Sequence, residues 1–182
     1  PYAAHSILLK GPSGCGKSRL VARLAQEMEV VYQTLDAYQL VDRWISQGSM
    51  DLSSYLHELG KRGKTILLLD HLESLSTVDT HSSTIAAAAR AVTAQLCSLL
   101  DDMATQPNVI VFGVTSGELD GRFEHNQRFD MHLQVDPPNR WGRAEILYLA
   151  TETMPLDQDV DLPLIATLSS GMTAQDLNNL AR

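Results

Sequence analysis

The sequence predicts an α/β protein, with a parallel five-stranded sheet covered by helices on both faces and a small helical lid at the C-terminal end. Two observations lead to this prediction. Up to residue 135, short apolar runs alternate with stretches of helical periodicity, as expected of buried parallel strands joined by helices. After the prolines at positions 137 and 138 the sequence shows helical patterns and no further strand pattern.

The predicted elements follow one another in a regular order. Strand-like runs lie at residues 7–9, 30–35, 65–69, 109–114 and 132–135. Helical spacing is found at residues 17–28, 52–61 and 83–103, and the lid is predicted to hold helices at 141–150, 162–169 and 173–182. Thr173 is a candidate cap of the last helix, and Gly171 closes the helix before it. We therefore expect an α/β subdomain over residues 1–137 and the start of a helical lid over residues 138–182.

Composition limits the class of partner. The chain has 182 residues, enough for one full core and a small appended unit. Its 14 lysines and arginines stand against 22 aspartates and glutamates, and the resulting net charge of −8 argues against nucleic acid as a partner. No apolar run approaches the roughly 20 residues that cross a bilayer, so we expect no direct membrane insertion.

Two further features bear on location. Cys15 and Cys97 form no disulfide framework, which fits a reducing compartment such as the cytoplasm. The chain begins at Pro1 without a methionine or a signal-like segment. We therefore expect it to be a piece of a longer protein.

One short segment carries specific chemistry. Gly11-Pro12-Ser13-Gly14-Cys15-Gly16-Lys17-Ser18 is a complete G-x-x-x-x-G-K-[ST] loop, placed between a predicted strand and a predicted helix. In such a loop the backbone N–H groups surround phosphate oxygens, Lys17 neutralises the outer phosphates and Ser18 coordinates magnesium. The N-terminus of the following helix adds its positive dipole end. Arg19, in the first turn of that helix, is also predicted to contact the nucleotide. The segment predicts ATP and magnesium as ligands and a P-loop NTPase form of the fold.

A second motif lies at the end of the third predicted strand. Ile66-Leu67-Leu68-Leu69-Asp70 is an apolar run that ends in a carboxylate, which predicts that Asp70 helps to hold the magnesium ion. A hydrolase of this layout needs a second carboxylate directly afterwards to activate water, and the chain has His71 there. An imidazole can serve as a base, but the positive charges of magnesium and Lys17 would weaken it. We expect slow or absent hydrolysis.

With these motifs in place, the chain resembles the AAA+ ATPases, in the protein-remodelling branch whose members often carry two ATPase modules in tandem. The resemblance extends over nearly the whole chain. It is carried most clearly by Leu119-Asp120, Arg128-Phe129-Asp130, Val135-Asp136-Pro137-Pro138-Asn139, Gly142-Arg143-Ala144-Glu145-Ile146-Leu147 and Ser170-Gly171-Met172-Thr173-Ala174-Gln175-Asp176-Leu177. It implies that Ala174 and Gln175 pack on the adenine, that subunits of one or several kinds form a hexameric ring, and that the ring acts on a protein substrate.

The chain departs from the family pattern where the family carries out hydrolysis. His71 replaces a glutamate, and Ser116 stands at the sensor position that the family fills with asparagine. The arginines that reach into a neighbouring subunit correspond to Glu124 and His125, which leaves Arg128 as the residual candidate. An arginine finger contributes a factor of about 10³ to 10⁵ to the rate of hydrolysis. Because this chain has lost it, we expect hydrolysis to be disabled in the site of the adjoining subunit. The resemblance implies a module that keeps nucleotide binding and has lost much of its catalytic machinery.

A subgroup of the family shares these features. Asp70-His71-Leu72-Glu73, Pro137-Pro138-Asn139 and Gly142-Arg143-Ala144-Glu145-Ile146-Leu147 are similar to the first ATPase module of peroxisome biogenesis AAA proteins. That resemblance implies a role in recycling peroxisomal import receptors, at the peroxisomal membrane surface through partners. Two alternatives stay open: a hydrolytically active motor module of another tandem remodeller, and a DNA-acting loader or initiator, which the net charge disfavours.

The segment that lines the pore in the family corresponds to Arg43-Trp44-Ile45-Ser46. Trp44 or Ile45 contacts a threaded polypeptide under one interpretation. Under the other, Trp44 packs on its own domain.

Overall fold

A computed structural model describes residues 5–48, 51–76, 83–102, 107–124, 128–157 and 159–182. The strands in these ranges are β1 (Ser6–Lys10), β2 (Val31–Asp36), β3 (Thr65–Asp70), β4 (Val109–Thr115) and β5 (Met131–Gln134). The α-helices are α1 (Lys17–Glu27), α2 (Ala37–Gln47), α3 (Leu52–Lys61), α4 (Ser83–Asp101), α5 (Gly121–Glu124), α6 (Arg140–Thr151), α7 (Leu162–Leu168) and α8 (Ala174–Leu180), and a 3₁₀ helix spans Leu72–Leu75.

The sheet confirms the predicted fold class. Its strand order is β2-β3-β4-β1-β5, and all four pairs of neighbouring strands are parallel. Parallel strands align their carboxyl ends along one edge of the sheet, where α/β proteins place their ligand sites. The register makes Asp36, the last residue of β2, the direct neighbour of Asp70, the last residue of β3.

The core of the sheet forms where the apolar runs are longest. In β3 every residue but the terminal Asp70 is buried, and most of β4 is buried as well. On α4 the residues Val92, Leu96 and Leu99 join the same core cluster as Leu67 and Val111. The apolar stripe of this helix therefore covers the sheet, as predicted, although Ile85 of that stripe is 46% exposed.

The edge strand β5 differs from the prediction that the strands are buried. All four of its residues are exposed. Among the strands of the described ranges, β5 pairs with β1 alone and stands at the end of the sheet order. A short strand at a sheet edge needs less burial than a central one.

Helix α2 was not predicted from the sequence. It begins after Asp36, whose side chain accepts hydrogen bonds from the backbone N–H groups of Tyr38 and Gln39. Its buried face is formed by Ala37 and Leu40. A capping carboxylate and a narrow apolar face are enough to form this helix once β2 and the core are in place.

The chain divides into two compact units. One contains Pro1–Lys10 and Ser18–Gln134, and therefore the sheet; the other contains Val135–Arg182 together with the loop segment Gly11–Lys17. The second unit includes the three predicted lid helices α6, α7 and α8. Its small core consists of Leu147, Leu162, Ala166 and Leu177. Within the described ranges, no helix has both the length and the apolar character needed to cross a bilayer.

Candidate functional site

The segment Gly11–Lys17 connects β1 to α1 in a conformation that requires glycine. Gly11 and Gly14 have φ of 152° and 81°, values that residues with a Cβ rarely adopt. A Cβ on Gly11 would lie 2.0 Å from the carbonyl oxygen of Val135, which cannot give way because it is backbone. The predicted loop therefore needs glycine for conformation and for space.

Lys17 is folded onto this loop. Its side chain is buried, with the residue 4% exposed, and its Nζ donates to the carbonyls of Gly11 (2.6 Å) and Pro12 (2.8 Å). These carbonyls offset the cost of burying an ammonium group. Of the other predicted loop residues, Pro12 and Ser13 are exposed, whereas Cys15 and Gly16 are partly buried. The positive charge is thus held inside the loop, as an anion site requires.

The start of α8 lies against the same loop. The backbone N–H of Gln175 donates to the carbonyl of Gly14 (3.1 Å). A Cβ on Gly14 would lie 2.7 Å from Oγ1 of Thr173 and 3.0 Å from Cβ of Gln175. The segment of Ala174 and Gln175, predicted to contact the adenine, is therefore joined directly to the phosphate loop.

A capping box fixes this end of α8. The backbone N–H of Thr173 donates to Oδ2 of Asp176 (2.9 Å), and the Thr173 hydroxyl donates to the same oxygen (2.8 Å). In return, the backbone N–H of Asp176 donates to Oγ1 of Thr173 (3.3 Å). The two bonds that Thr173 donates to the carboxylate lower the pKa of Asp176, and the bond from the backbone N–H contributes most. Thr173 is the cap that the sequence predicted.

The two predicted magnesium ligands are in contact. The hydroxyl of Ser18, in the first turn of α1, donates to Oδ2 of Asp70 at the end of β3 (2.8 Å). A hydroxyl and a carboxylate are hard oxygen donors of the kind that magnesium prefers. The donor set fits the ion that the fold family implies. Arg19, the next residue, is exposed.

His71 follows Asp70 in a left-handed conformation, with φ of 58° and ψ of 40°. Its backbone N–H donates to Oδ1 of Asp70 (3.0 Å). Its ring Nδ1 lies 2.9 Å from Oδ2 of Asp36, and its ring centroid lies 5.6 Å from that of Tyr38. Since a carboxylate only accepts, Nδ1 carries the proton in this bond.

Asp36 was missed by the sequence analysis. It lies 35 positions before His71, and the parallel register of β2 and β3 brings the two together. A recognisable signal existed, because Asp36 follows an apolar run and precedes a stretch of weak helical spacing. That signal indicates a helix cap, and nothing in it indicates a partner for His71.

The sensor position contacts a different acidic residue. The backbone N–H of Ser116 donates to Oε2 of Glu73 (3.1 Å), and the hydroxyl of Thr115 donates to the carbonyl of Gly117 (3.0 Å). Glu73 is the carboxylate closest in sequence after His71. In this structure it orders the turn that follows β4.

Arg128, the residual finger candidate, is bound within its own chain. Its Nε and Nη2 donate to the two carboxylate oxygens of Asp101 (2.9 and 3.0 Å), and Nη1 donates to the carbonyl of Arg122. The bond with Asp101 raises the pKa of the Arg128 guanidinium. To reach a neighbouring subunit, Arg128 would have to give up this bidentate pair. His125 lies outside the described residues, as does the side chain of Glu124.

The segment compared with the pore lining lies within α2. Trp44 is partly buried and packs against the core, so its own domain provides its contacts. Ile45 is 46% exposed, and with Trp44 it lines a shallow groove beside Ala87 and Ala88 of α4. The structure therefore favours domain packing for Trp44 and leaves Ile45 on the surface.

The sequence matches one family model and is similar to several known proteins. The sequence model of the ATPase family associated with various cellular activities (AAA) matches residues 7–137. The chain is 29% identical over 178 residues to Protein SAV of Sulfolobus acidocaldarius, which is 97% of this chain and 23% of that protein. It is 28% identical over 178 residues to a Cell division cycle protein 48 homolog of Archaeoglobus fulgidus, again 97% of this chain and 24% of that protein.

A third relative has a different name. The chain is 31% identical over 189 residues to the ATP-dependent zinc metalloprotease FtsH of Syntrophotalea carbinolica, covering 98% of this chain and 28% of that protein. The chain spans about a quarter of the length of these curated relatives.

Proposed function

Because the chain belongs to the AAA family of ATPases, we propose that it is an ATP-binding module of a larger protein-remodelling machine, and that it hydrolyses ATP slowly or not at all. The bound nucleotide acts mainly to hold the assembly together. The ligand is ATP with magnesium, held by the loop Gly11–Lys17, by Ser18 and Asp70, and by the lid residues Ala174 and Gln175.

One observation carries this proposal. The residues expected to bind the nucleotide and magnesium are all present, whereas position 71, where a hydrolase of this layout needs a carboxylate to activate water, holds a histidine. The loop glycines, the buried Lys17 and the Ser18–Asp70 pair supply amides, a cation and two oxygen donors. His71 stands where a hydrolase of this layout has a carboxylate, and its Nδ1 is bonded to Asp36. When bound, magnesium would neutralise charge on the phosphate oxygens and help to orient them.

The assembly role follows from mass action. A ligand present at one hundred times its dissociation constant stabilises the bound state by about 2.7 kcal/mol, which is enough to hold a marginal interface. We propose a hexameric ring of identical or different subunits, a protein substrate and subdomains at 1–137 and 138–182. The relative named ATP-dependent zinc metalloprotease FtsH supports the use of ATP and a protein substrate by its name, and it and the Cell division cycle protein 48 homolog both contain a similar segment.

A finer proposal concerns the cellular process. The segments Asp70-His71-Leu72-Glu73 and Pro137-Pro138-Asn139 support assignment to the first module of a peroxisome biogenesis AAA protein. The module would then act in the cytoplasm, at the peroxisomal membrane surface through partners, in recycling import receptors.

The test combines binding and turnover in the intact protein. Calorimetry with Mg·ATP should detect binding, and radiolabelled ATP should show little or no release of phosphate. Lys17→Ala should abolish binding, because it removes the cation of the loop. Lys61→Ala, which removes an exposed lysine at the end of α3, is the matched control and should bind normally. Rapid turnover that depends on Lys17 would contradict the assembly role, and lack of binding would contradict the whole proposal.

A hydrolytically active motor module is the second candidate function. The observation that favours it is the bond between Nδ1 of His71 and Asp36, since a histidine oriented by a carboxylate has the tautomer of a general base. The turnover measurement separates the two candidates.

A further inference from the structure

Strand β2 forms an open edge of the sheet. Among the strands of the described ranges it pairs with β3 alone and stands at the end of the sheet order opposite β5. Sheet edges are normally protected by very short strands, by proline or by lysine. β2 has six residues, none of them proline or lysine, whereas β5 has only four residues. A further strand can therefore pair with β2.

The ladder shows which backbone groups of β2 point outward. The backbone N–H of Val31 donates to the carbonyl of Lys64, which precedes β3 (3.1 Å). In a parallel ladder, alternate residues of one strand bond to the same neighbouring strand. Val31 and Gln33 therefore bond on the side of β3. The N–H and C=O groups of Tyr32 and Thr34 point to the open side.

A cavity of about 390 Å³ lies beside this edge. It is lined by residues 33–36 of β2, by residues of α2 and by residues at the start of α3. Leu40 of α2 is 3% exposed and belongs to the core, and Tyr55 of α3 packs against the same core. The shallow groove of Trp44 and Ile45 is a different one, beside α4. The open edge of β2 thus borders a space of the size that ligand pockets have.

The charged residues that line the cavity differ in their partners. Both carboxylate oxygens of Asp51 accept from Ser54, one from its backbone N–H and one from its hydroxyl. Asp36 accepts from the start of α2 with Oδ1 and contacts His71 with Oδ2. The guanidinium of Arg43 has no hydrogen bond or ion pair with any residue that the structure describes. The charge left for a ligand is therefore positive, and it suits a carboxylate.

We propose that the open edge of β2 binds an extended acidic segment of a partner protein, which adds to the sheet as a further strand and places a carboxylate on Arg43. The outward groups of Tyr32 and Thr34 bond to the backbone of that segment, and the cavity receives side chains from it. The residues assigned above to nucleotide and magnesium do not line this cavity. The inference therefore goes beyond the proposed function.

The first experiment measures peptide binding by fluorescence anisotropy in the intact protein without nucleotide. The probe is a fluorescein-labelled peptide with blocked ends, of about eight residues, in which valine and glutamate alternate. It should bind saturably with a dissociation constant of about 1 mM or tighter. A peptide with glutamine in place of glutamate should bind more weakly, and one that is N-methylated at every peptide bond should not bind. Absence of saturable binding, or equal binding of the glutamine peptide, would overturn the inference.

Variants of the edge test the backbone contact. Thr34→Pro removes an outward N–H, a change that edge strands tolerate, and should weaken binding at least about tenfold because its ring also blocks an added strand. Thr34→Val is the matched control, since it keeps the N–H and should bind normally. Far-UV circular dichroism checks that both variants fold. Unchanged affinity in a folded Thr34→Pro variant would overturn the inference.

Variants of the charge test the acidic character without touching the edge. Arg43→Gln should weaken binding about two- to fivefold and should remove the salt dependence that the parent shows. Lys61→Gln, which removes an exposed lysine at the end of α3, is the matched control and should bind as the parent does. Equal affinity and equal salt dependence in Arg43→Gln and the parent would show that Arg43 does not receive the carboxylate, and the inference would fail.

Hydrogen exchange locates the bound peptide. The amides of Tyr32 and Thr34 should exchange more slowly when the peptide is added, and those of β5 should not change. Protection of β5 alone would place the peptide on the other edge and overturn the inference. Self-association that Thr34→Pro abolishes and the peptide does not compete with would also overturn it, because the edge would then bind a second copy of the chain.

The outcomes separate this inference from the proposed function. Lys17→Ala, which should abolish ATP binding, should bind the peptide as the parent does. If the parent binds Mg·ATP but not the peptide, the inference is wrong and the proposed function stands. If it binds the peptide at β2 but not Mg·ATP, the proposed function is wrong and the inference stands.

Discussion

At the scale of single residues, the site depends on unusual backbone conformations. His71 is a residue with a Cβ at φ of 58°, a region that costs about 1–2 kcal/mol for such residues. The bond from its N–H to Asp70 and the bond from Nδ1 to Asp36 offset that cost. The loop uses glycine instead, at Gly11 and Gly14, where neighbouring atoms leave no room for a Cβ.

Gly14→Ala should destabilise the C-terminal unit more than Gly171→Ala. The two glycines have nearly the same φ, 81° and 85°, but a Cβ at Gly14 would strike Thr173 and Gln175, whereas one at Gly171 would meet no atom within 4 Å. The control Gly171→Ala should cost about 1 kcal/mol from backbone strain. Gly14→Ala should cost about 1–3 kcal/mol more from the collision.

Urea denaturation of both variants measures this difference. Equal loss of stability would show that strain alone matters at Gly14 and that the contact with α8 contributes nothing.

At the scale of elements, α5 shows how a helix too short to form alone is held in place. It has four residues, fewer than an isolated helix needs. Phe123 anchors it with 1% exposure, and Arg122 donates from Nε and Nη2 to the two oxygens of Asp120 (2.9 and 2.8 Å). Arg128 adds a bond to the carbonyl of Arg122 and a bidentate pair with Asp101. The residual finger candidate is thus also part of the support of α5.

The Asp120–Arg122 pair should make stability depend on pH in the acid range. The side-chain bond from Arg122 lowers the pKa of the Asp120 carboxyl in the folded protein. The stabilisation is therefore fully present above the ordinary carboxyl pKa of about 4 and is lost as the pH falls through the lowered folded value. At pH 7 Asp120→Asn should cost about 0.5–1 kcal/mol, as partly exposed pairs do.

Unfolding free energies of the parent and Asp120→Asn should therefore differ at pH 7 and converge as the pH is lowered below about 4. A difference that stays constant down to the acid limit would show that the ion pair is not its source.

At the scale of the whole molecule, the glycine-rich loop belongs to the same compact unit as the C-terminal residues. Gly11–Lys17 lies in the unit of Val135–Arg182, and the bond from Gln175 N–H to the Gly14 carbonyl is one of the links. Chain order would have placed the loop with β1 and α1. The loop is therefore hydrogen-bonded directly to the start of α8.

The backbone amide of Gln175 should report nucleotide binding by hydrogen exchange. At Mg·ATP one hundred times above its dissociation constant, stabilisation of about 2.7 kcal/mol should slow exchange of this amide by about one hundredfold, because the loop must open to release it. Lys17→Ala should show no such protection at the same ATP concentration. Unchanged exchange in the parent, with binding confirmed by calorimetry, would show that the loop and α8 respond independently.

Local pattern predicted much of the fold because the signals were strong over short ranges. The run 65–69 is apolar enough to be a buried strand in any context, and the loop motif fixed where β1 ends and α1 begins. Helix α2 was missed because its stability comes from the Asp36 cap and from Ala37 and Leu40 against the core. The exposure of β5 was missed because the local sequence of a strand does not show whether the strand lies at the edge or in the centre of the sheet.

The sequence by itself determined the α/β class and the position of the glycine-rich loop between β1 and α1, because each depends on residues whose spacing is set by one strand, one turn or one helix. It also marked Ser18 and Asp70 as candidate ligands, but their contact across 52 positions comes from the tertiary structure. Tertiary structure alone decided that Asp36 meets His71, that Arg128 is bound to Asp101, and that the loop groups with α8. These contacts join residues 27 to 161 positions apart, as in Arg128–Asp101 and Gln175–Gly14. Such contacts depend on strand register and packing, which short-range periodicity does not encode.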